Sequence, residues 1–308
     1  MSESAPPGLP PSFRLSDEVG LALREGRPVV ALESAVFTHG LPEPYNVQII
    51  HSMAQVVREL GAVPAGCLVD DGWVWVGADT VLAESVARNP ERQKASVRDL
   101  GSAIASCVPA GLTVSATLFV AHRAGIRVFA TGGIGGVHAP ATTGDISADL
   151  LQLSRSPVVT ICSGAKSVLD IPRTLEALET LGVPVFSYQT PEFPSFYLER
   201  TGVSAPMISS AAEIARVAKA QWDLGYKSGI VIGNPIPAGD AIEQQDWKVW
   251  LESARTDAAR EGIQGKAVTP YLLDRVAAAS AGRTVRANVA LLESNARLAA
   301  EVAAALLP

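Results

Sequence analysis

RVFATGGIGG (127–136) sets a short apolar run directly against four glycines in five residues. The run is too short for a helix and reads as a buried strand, which the glycines end. The same arrangement recurs on both sides. Residues 28–32 are apolar and stop at Glu33, and 158–161 lead into Ser163-Gly164-Ala165-Lys166. Residues 183–186 lead into 189–192, and 230–232 into Asn234. Between these runs lie segments of helical spacing, such as 47–60 with Gly61 as its stop, and 211–224. Ser16-Asp17-Glu18 can cap an earlier helix that ends near Gly26. Strands alternating with helices predict an α/β fold, a three-layer α/β/α sandwich. Runs 66–69 and 73–76 flank Asp70-Asp71-Gly72 and read as a β-hairpin, so the central sheet is expected to be mixed. From about Asp240 the chain reads as three helices, a helical C-terminal third. Residues 1–15, with Pro6, Pro7, Pro10 and Pro11, are expected to form a disordered arm, and 16–308 a single α/β/α domain.

The chain has 308 residues, 48% hydrophobic, and a net charge of −6. That length supports a sizeable core. The charge argues against nucleic acid as a partner, and a small anionic substrate would need a local positive pocket. Three cysteines, Cys67, Cys107 and Cys162, form no CxxC pair, which excludes a disulfide framework or zinc knuckle and fits a reducing, cytoplasmic setting. No apolar run reaches the roughly 18–20 residues of a membrane span. The first residues lack the basic start and apolar centre of a signal peptide.

Ligands of open α/β sheets bind at the carboxyl ends of the strands, so the five polar segments that follow predicted strands are expected to converge on one pocket. The glycine loop does not fit the dinucleotide fingerprint, and 164–167 has Ala where a phosphate loop needs Gly before its Lys. It either presents backbone N–H groups to a phosphate or makes a tight turn. Lys166 follows an apolar strand and precedes Val168 and Leu169. Desolvated there, it can act as an amine nucleophile; otherwise it pairs with Asp170. Lys94 is either a phosphate clamp or a surface charge. Asp145 and Asp149, four apart, share a face if their segment is helical. They then suit Mg2+ or Mn2+, or they stabilise a helix N-terminus. His39 and His138 lie near candidate loops, whereas His51 and His122 fall within helices as structural residues.

Longer strings narrow the choice: ALESAVFTHGLPEPYN (31–46), TVSAT (113–117), FATGGIGGVH (129–138), DISADL (145–150) and SGAKSVLDI (163–171). YQTPEFPSFY (188–197), NPIP (234–237), VTPYLL (268–273) and ANVALLESNARLAAEVA (287–303) follow in order. Together they resemble the pseudouridine-5′-phosphate glycosidases, the family that includes the indigoidine-cluster A proteins. The resemblance runs from about Ser16 to the C-terminus. It implies the fold already read and a reversible C–C glycosidase or lyase that yields uracil and ribose 5-phosphate through a lysine Schiff base. It also implies a homotrimer and Mn2+, with Mg2+ as substitute. On matching positions it makes Lys166 the covalent amine, Glu33 the proton donor and Asp145 the metal ligand. Lys94, Val114, Ser147, Ala148 and Asp149 become substrate contacts, with Thr131, His138 and Asn288 as further ones. The expected partner is a sugar phosphate with uracil or another aromatic, not nucleic acid or membrane. One departure stands out. Many members carry Arg-Gly after the residue equivalent to His138, where this chain has Ala139-Pro140-Ala141-Thr142-Thr143-Gly144. That loop keeps a related C-ribosyl synthase in view as an alternative, and a non-catalytic sugar-phosphate-binding protein is the other.

Overall fold

The computed structural model describes residues 9–138, 144–263 and 268–307. Its centre is an 11-stranded mixed sheet. In chain order the strands are β1 (Phe13–Leu15), β2 (Val29–Glu33), β3 (Val63–Asp70), β4 (Trp73–Val76), β5 (Gln93–Ala95) and β6 (Ala110–Leu112). Then follow β7 (Val128–Ala130), β8 (Val159–Cys162), β9 (Val185–Tyr188), β10 (Met207–Ile208) and β11 (Ile230–Gly233). The spatial order is β1-β4-β3-β2-β7-β8-β11-β9-β10, with β5 and β6 appended to β3. Neighbours are parallel except β3 with β4 and β3 with β6. The expected hairpin is the source of this reversal. Asp70 pairs with Trp73 across Asp71 (φ 46°) and Gly72 (φ 75°), a two-residue turn with both φ values positive.

All five residues of β2 are buried. Side chains alternate in direction along a strand, so both faces of the sheet are covered there. Helices Tyr45–Glu59 and Ala211–Asp223 pack on the long helix Arg283–Ala305, which lies against β2, β7 and β8. Helix Val114–Ala124, with Ala148–Leu153 beside it, packs against β2, β3 and β7. Local chemistry starts several helices. The Ser16 side chain accepts from the Val19 N–H, Asp170 from Arg173 and Ser210 from Glu213. From Gln244 on, the described residues form the three expected helices, Gln244–Arg260, Val268–Ala279 and Arg283–Ala305, a shorter share of the chain than the expected third.

The arm expected over 1–15 does not extend to Leu15. Phe13–Leu15 is strand β1, parallel to β4, with Phe13 buried, because the exposed edge of the hairpin offers backbone partners to the incoming chain. Residues 1–8 lie outside the described residues. Among the described residues no helix is long and apolar enough to cross a membrane.

Candidate active site

Since β2, β7, β8 and β11 run parallel, their carboxyl ends lie on one edge of the sheet. A cavity of about 370 Å³ opens there, and Glu33, Lys94, Lys166 and Asn288 face into it. Glu33 ends β2, and Lys94 lies within β5. Lys166 sits in the turn after β8, its N–H bonded to the Ile134 carbonyl at 3.1 Å. Asn288 comes from the long C-terminal helix. Gly132 and Gly133, which follow β7, form part of the floor.

Two glycines are required by close packing. Gly164 has φ +79°, and a Cβ there would fall 1.8 Å from the Pro194 carbonyl oxygen. A Cβ on Gly133 would meet the Phe196 ring at 2.6 Å. The glycine segments thus let the 188–197 loop fold down, and its Phe196 and Tyr197 wall the cavity.

Glu33 is buried and accepts a hydrogen bond from the Thr131 hydroxyl. Burial holds its carboxyl above the ordinary carboxylate range, against the opposing pull of Lys166, Thr131 and Lys94, while Asp149 adds to the rise. Lys94 is pushed below the usual lysine range by desolvation and by Lys166. His39, on the turn Val36–Gly40, is lowered to about 4 by burial and by Lys94 and Arg92, which keeps it neutral. Its Nδ1 lies 2.8 Å from the Thr38 hydroxyl. Arg92, Lys94 and Lys166 all line the cavity, so a chain of net charge −6 carries the local positive pocket an anion needs.

The remaining expected residues form a supporting layer. Asp149 is buried, and its carboxylate accepts from the Ser115 N–H at 2.9 Å and the Gly135 N–H at 2.8 Å. It therefore ties the start of helix Val114–Ala124, where buried Val114 sits, to the glycine loop. The Gly135 N–H is spent inside the protein rather than held out to a phosphate. Ser147 caps the helix that begins at Ala148, accepting from the Asp149 N–H, while Ala148 itself is exposed. Asp145 and Asp149 do not share a helical face. Residue 146 bridges to Val137 as extended chain, and the helix starts only after the Ser147 cap. The His138 N–H donates to the Asp145 carbonyl at 3.0 Å, and neither residue is among the cavity's described lining. The altered loop, 139–143, lies outside the described residues.

No three His, Cys, Asp or Glu side chains converge on a metal position among the described residues. With the Asp149 oxygens engaged by backbone donors, Asp145 is the carboxylate of this pair on which a metal reading rests. One carboxylate plus water suits a hard divalent ion that keeps most of its hydration shell.

Sequence reasoning missed Arg92, Phe196 and Tyr197 as cavity residues, and of the buried amide cluster beneath the floor it singled out Asn234 but not Asn295. Asn295 donates to the Thr131 carbonyl at 2.8 Å and accepts from the Asn234 side chain at 3.0 Å. Asn295 also donates to the Ser163 hydroxyl at 3.1 Å. One helix thus joins the carboxyl ends of β7, β8 and β11. For Asn295 the only prior signal was its place within a quoted string, 287–303.

Residues 18–305 match the family model described as indigoidine synthase A like protein. A relative from Caldanaerobacter subterraneus subsp. tengcongensis, named pseudouridine-5′-phosphate glycosidase, is 46% identical over 95% of this chain and 96% of its own. One of the same name from Solibacter usitatus is 48% identical over 94% of this chain and 98% of its own. Among solved structures, the prealnumycin C-glycosynthase AlnA in complex with ribulose 5-phosphate superposes with a TM-score of 0.90. It is 38% identical and covers 96% of this chain and 97% of its own.

Proposed function

The chain belongs to the indigoidine synthase A like family, and from that membership and its cavity we propose that it is a pseudouridine-5′-phosphate glycosidase. It would cleave pseudouridine 5′-phosphate reversibly to uracil and ribose 5-phosphate. The observation that carries the reading is the buried acid Glu33 and two amines, Lys94 and Lys166, around one cavity that Arg92 also lines.

A C-nucleoside has no heteroatom at its scissile bond, so the two-carboxylate scheme of ordinary glycosidases does not suffice. Ring opening comes first. Glu33, whose titration burial raises, gives its proton to the ribose ring oxygen as the C1′–O bond breaks and the uracil ring supplies the electron pair. The Lys166 amine then adds to the electron-poor C1′. A proton added at uracil C5 lets the C1′–C5 bond break. The nitrogen lone pair forms the C1′=N iminium on Lys166, and uracil leaves. Water adds to the iminium, freeing Lys166 and ribose 5-phosphate. Arg92 and Lys94 supply positive charge for the phosphate, and Thr131 holds the Glu33 carboxyl by its hydroxyl. Lys94, Asn288 and the segment 147–149 with Val114 are the proposed substrate-contacting and supporting groups, with His138 beside them. A Mn2+ ion on Asp145, with Mg2+ as substitute, would polarise the uracil carbonyl side when bound. Assembly as a homotrimer belongs to the same proposal, and light scattering on the purified protein should return the mass of three chains.

The deciding experiment incubates the enzyme with ribose 5-phosphate and uracil and follows pseudouridine 5′-phosphate by chromatography. Product is expected, and its absence in both directions would refute the reading. Likeness to a C-glycosynthase at 38% identity favours a second reading, the joining of ribose 5-phosphate to a larger aromatic. That reading predicts turnover with such an acceptor and none with uracil.

A further inference from the structure

A second cavity, of about 270 Å³, lies behind the first. It is a slot between the β2–β3 face of the sheet and helix Tyr45–Glu59, with Leu32, Phe37, Ile49, Ile50, Met53 and Leu68 as walls. Polar groups are confined to Ser16, Glu18, Arg58, Asp79 and Thr80, with Glu33 at the opposite end. The Arg58 and Glu18 side chains are paired at 2.7 Å, and Asp79 is engaged by the Leu82 N–H at 2.8 Å. Two carboxylates against one guanidinium disfavour an anion.

Two observations point to an occupant. The first is Gly66, in the interior of β3 and lining the slot. A Cβ there would touch nothing nearer than the Ala78 carbonyl at 3.7 Å, and its φ is not in the left-handed range. Neither sterics nor backbone conformation demands glycine. A strand glycine often marks a bulge or a close approach by a ligand or another backbone. The Gly77 and Ala78 N–H groups both meet the Gly66 carbonyl, and the space where its Cβ would stand is left to the slot. The second is size. An apolar cavity of roughly 150 Å³ accepts benzene, and this one is larger, while Phe37 and Met53 offer the soft contacts aromatic rings favour.

The slot also shares a wall with the candidate active site. Glu33 borders both cavities, and within the turn Val36–Gly40 Phe37 faces the slot while Val36, Thr38 and His39 face the catalytic side. We propose that the slot is a binding site for a small, neutral, planar aromatic molecule, and that its occupancy is felt in the active site through the 33–40 wall. The binding claim stands without the glycosidase reading; the coupling claim rests on it.

Indole serves as the probe, titrated calorimetrically into the full chain with and without saturating ribose 5-phosphate. Gly66→Val and Ala83→Leu each fill the slot from a different element and leave the catalytic residues untouched. Saturable one-to-one binding is expected, retained with ribose 5-phosphate and weakened at least roughly tenfold in either variant. Turnover without indole should stay near wild type in both variants, and indole should change it in wild type only. No saturable binding, binding indifferent to both plugs, or binding displaced by ribose 5-phosphate would each overturn the site. Binding with unchanged turnover would overturn the coupling. If pseudouridine 5′-phosphate proves not to be a substrate, the calorimetry still decides the site.

Discussion

Glu33 carries opposite demands on stability and on chemistry. Its carboxyl is buried, and burial raises its titration above the ordinary carboxylate range. A group raised in the folded state contributes stability below its unfolded value and loses it as pH rises through the folded one. Glu33→Gln should therefore melt at a higher temperature than wild type at neutral and alkaline pH. The advantage should vanish in acid, where both states of the wild type are protonated. The same variant should lose roughly 10²–10⁴-fold in turnover, the usual share of a general acid. The Thr131 hydroxyl bond favours the ionised form of Glu33. Thr131→Val should move the alkaline limb of the rate profile to higher pH, since the acid then keeps its proton longer. Of the two cavity amines, the proposed chemistry assigns the covalent role to Lys166. Borohydride added with ribose 5-phosphate should leave a reduced adduct on Lys166, located by peptide mass spectrometry; an adduct on Lys94 would exchange the roles of the two lysines.

Among the elements, the short helix Ala148–Leu153 matters for what its first turn grips. Asp149 was readable from the sequence as a substrate contact or a metal ligand, yet its oxygens hold the N–H groups of Ser115 and Gly135. Asp149→Ala should cost at least about 1.5–3 kcal/mol in chemical denaturation, the worth of a hydrogen bond to a charged group. A simple acidic first turn would lose a few tenths. Asp149→Asn, which keeps one acceptor, should fall between. What was legible follows from the range of the signal. The strands that position the site are runs of apolar residues ending in polar or glycine-rich stops, and the turn at Asp71-Gly72 announces itself through two residues suited to positive φ. The missed strands β1, β5, β6 and β10 span two or three residues each and exist only through pairing with neighbours. Asn295 was illegible for the same reason, since its bond to Thr131 joins positions 164 apart in the chain. Arg92 carries no sequence signal of its own, and it lines the cavity because the chain entering β5 sets it there with Lys94.

At the scale of the whole molecule, one apolar core runs from Phe13 in the edge strand to Ala303 in the last helix. The strands beneath the cavity are cross-linked by protein groups alone, the Asn234–Asn295 amides on one side and the Asp149 carboxylate on the other. Nothing in that framework requires an ion, so fold and metal should separate cleanly. Exhaustive chelation should leave the melting temperature unchanged while turnover disappears and returns with Mn2+, more weakly with Mg2+. Asp145→Ala should reproduce the chelated state and resist rescue, because the proposed ion is held through that carboxylate and water. A Mn2+ titration followed by electron paramagnetic resonance reads the same loss without turnover. Full activity after chelation would remove the metal from the proposed chemistry and leave Glu33 and Lys166 to act alone. A melting temperature that falls with the metal would mean instead that the ion braces the fold, with ligands beyond Asp145.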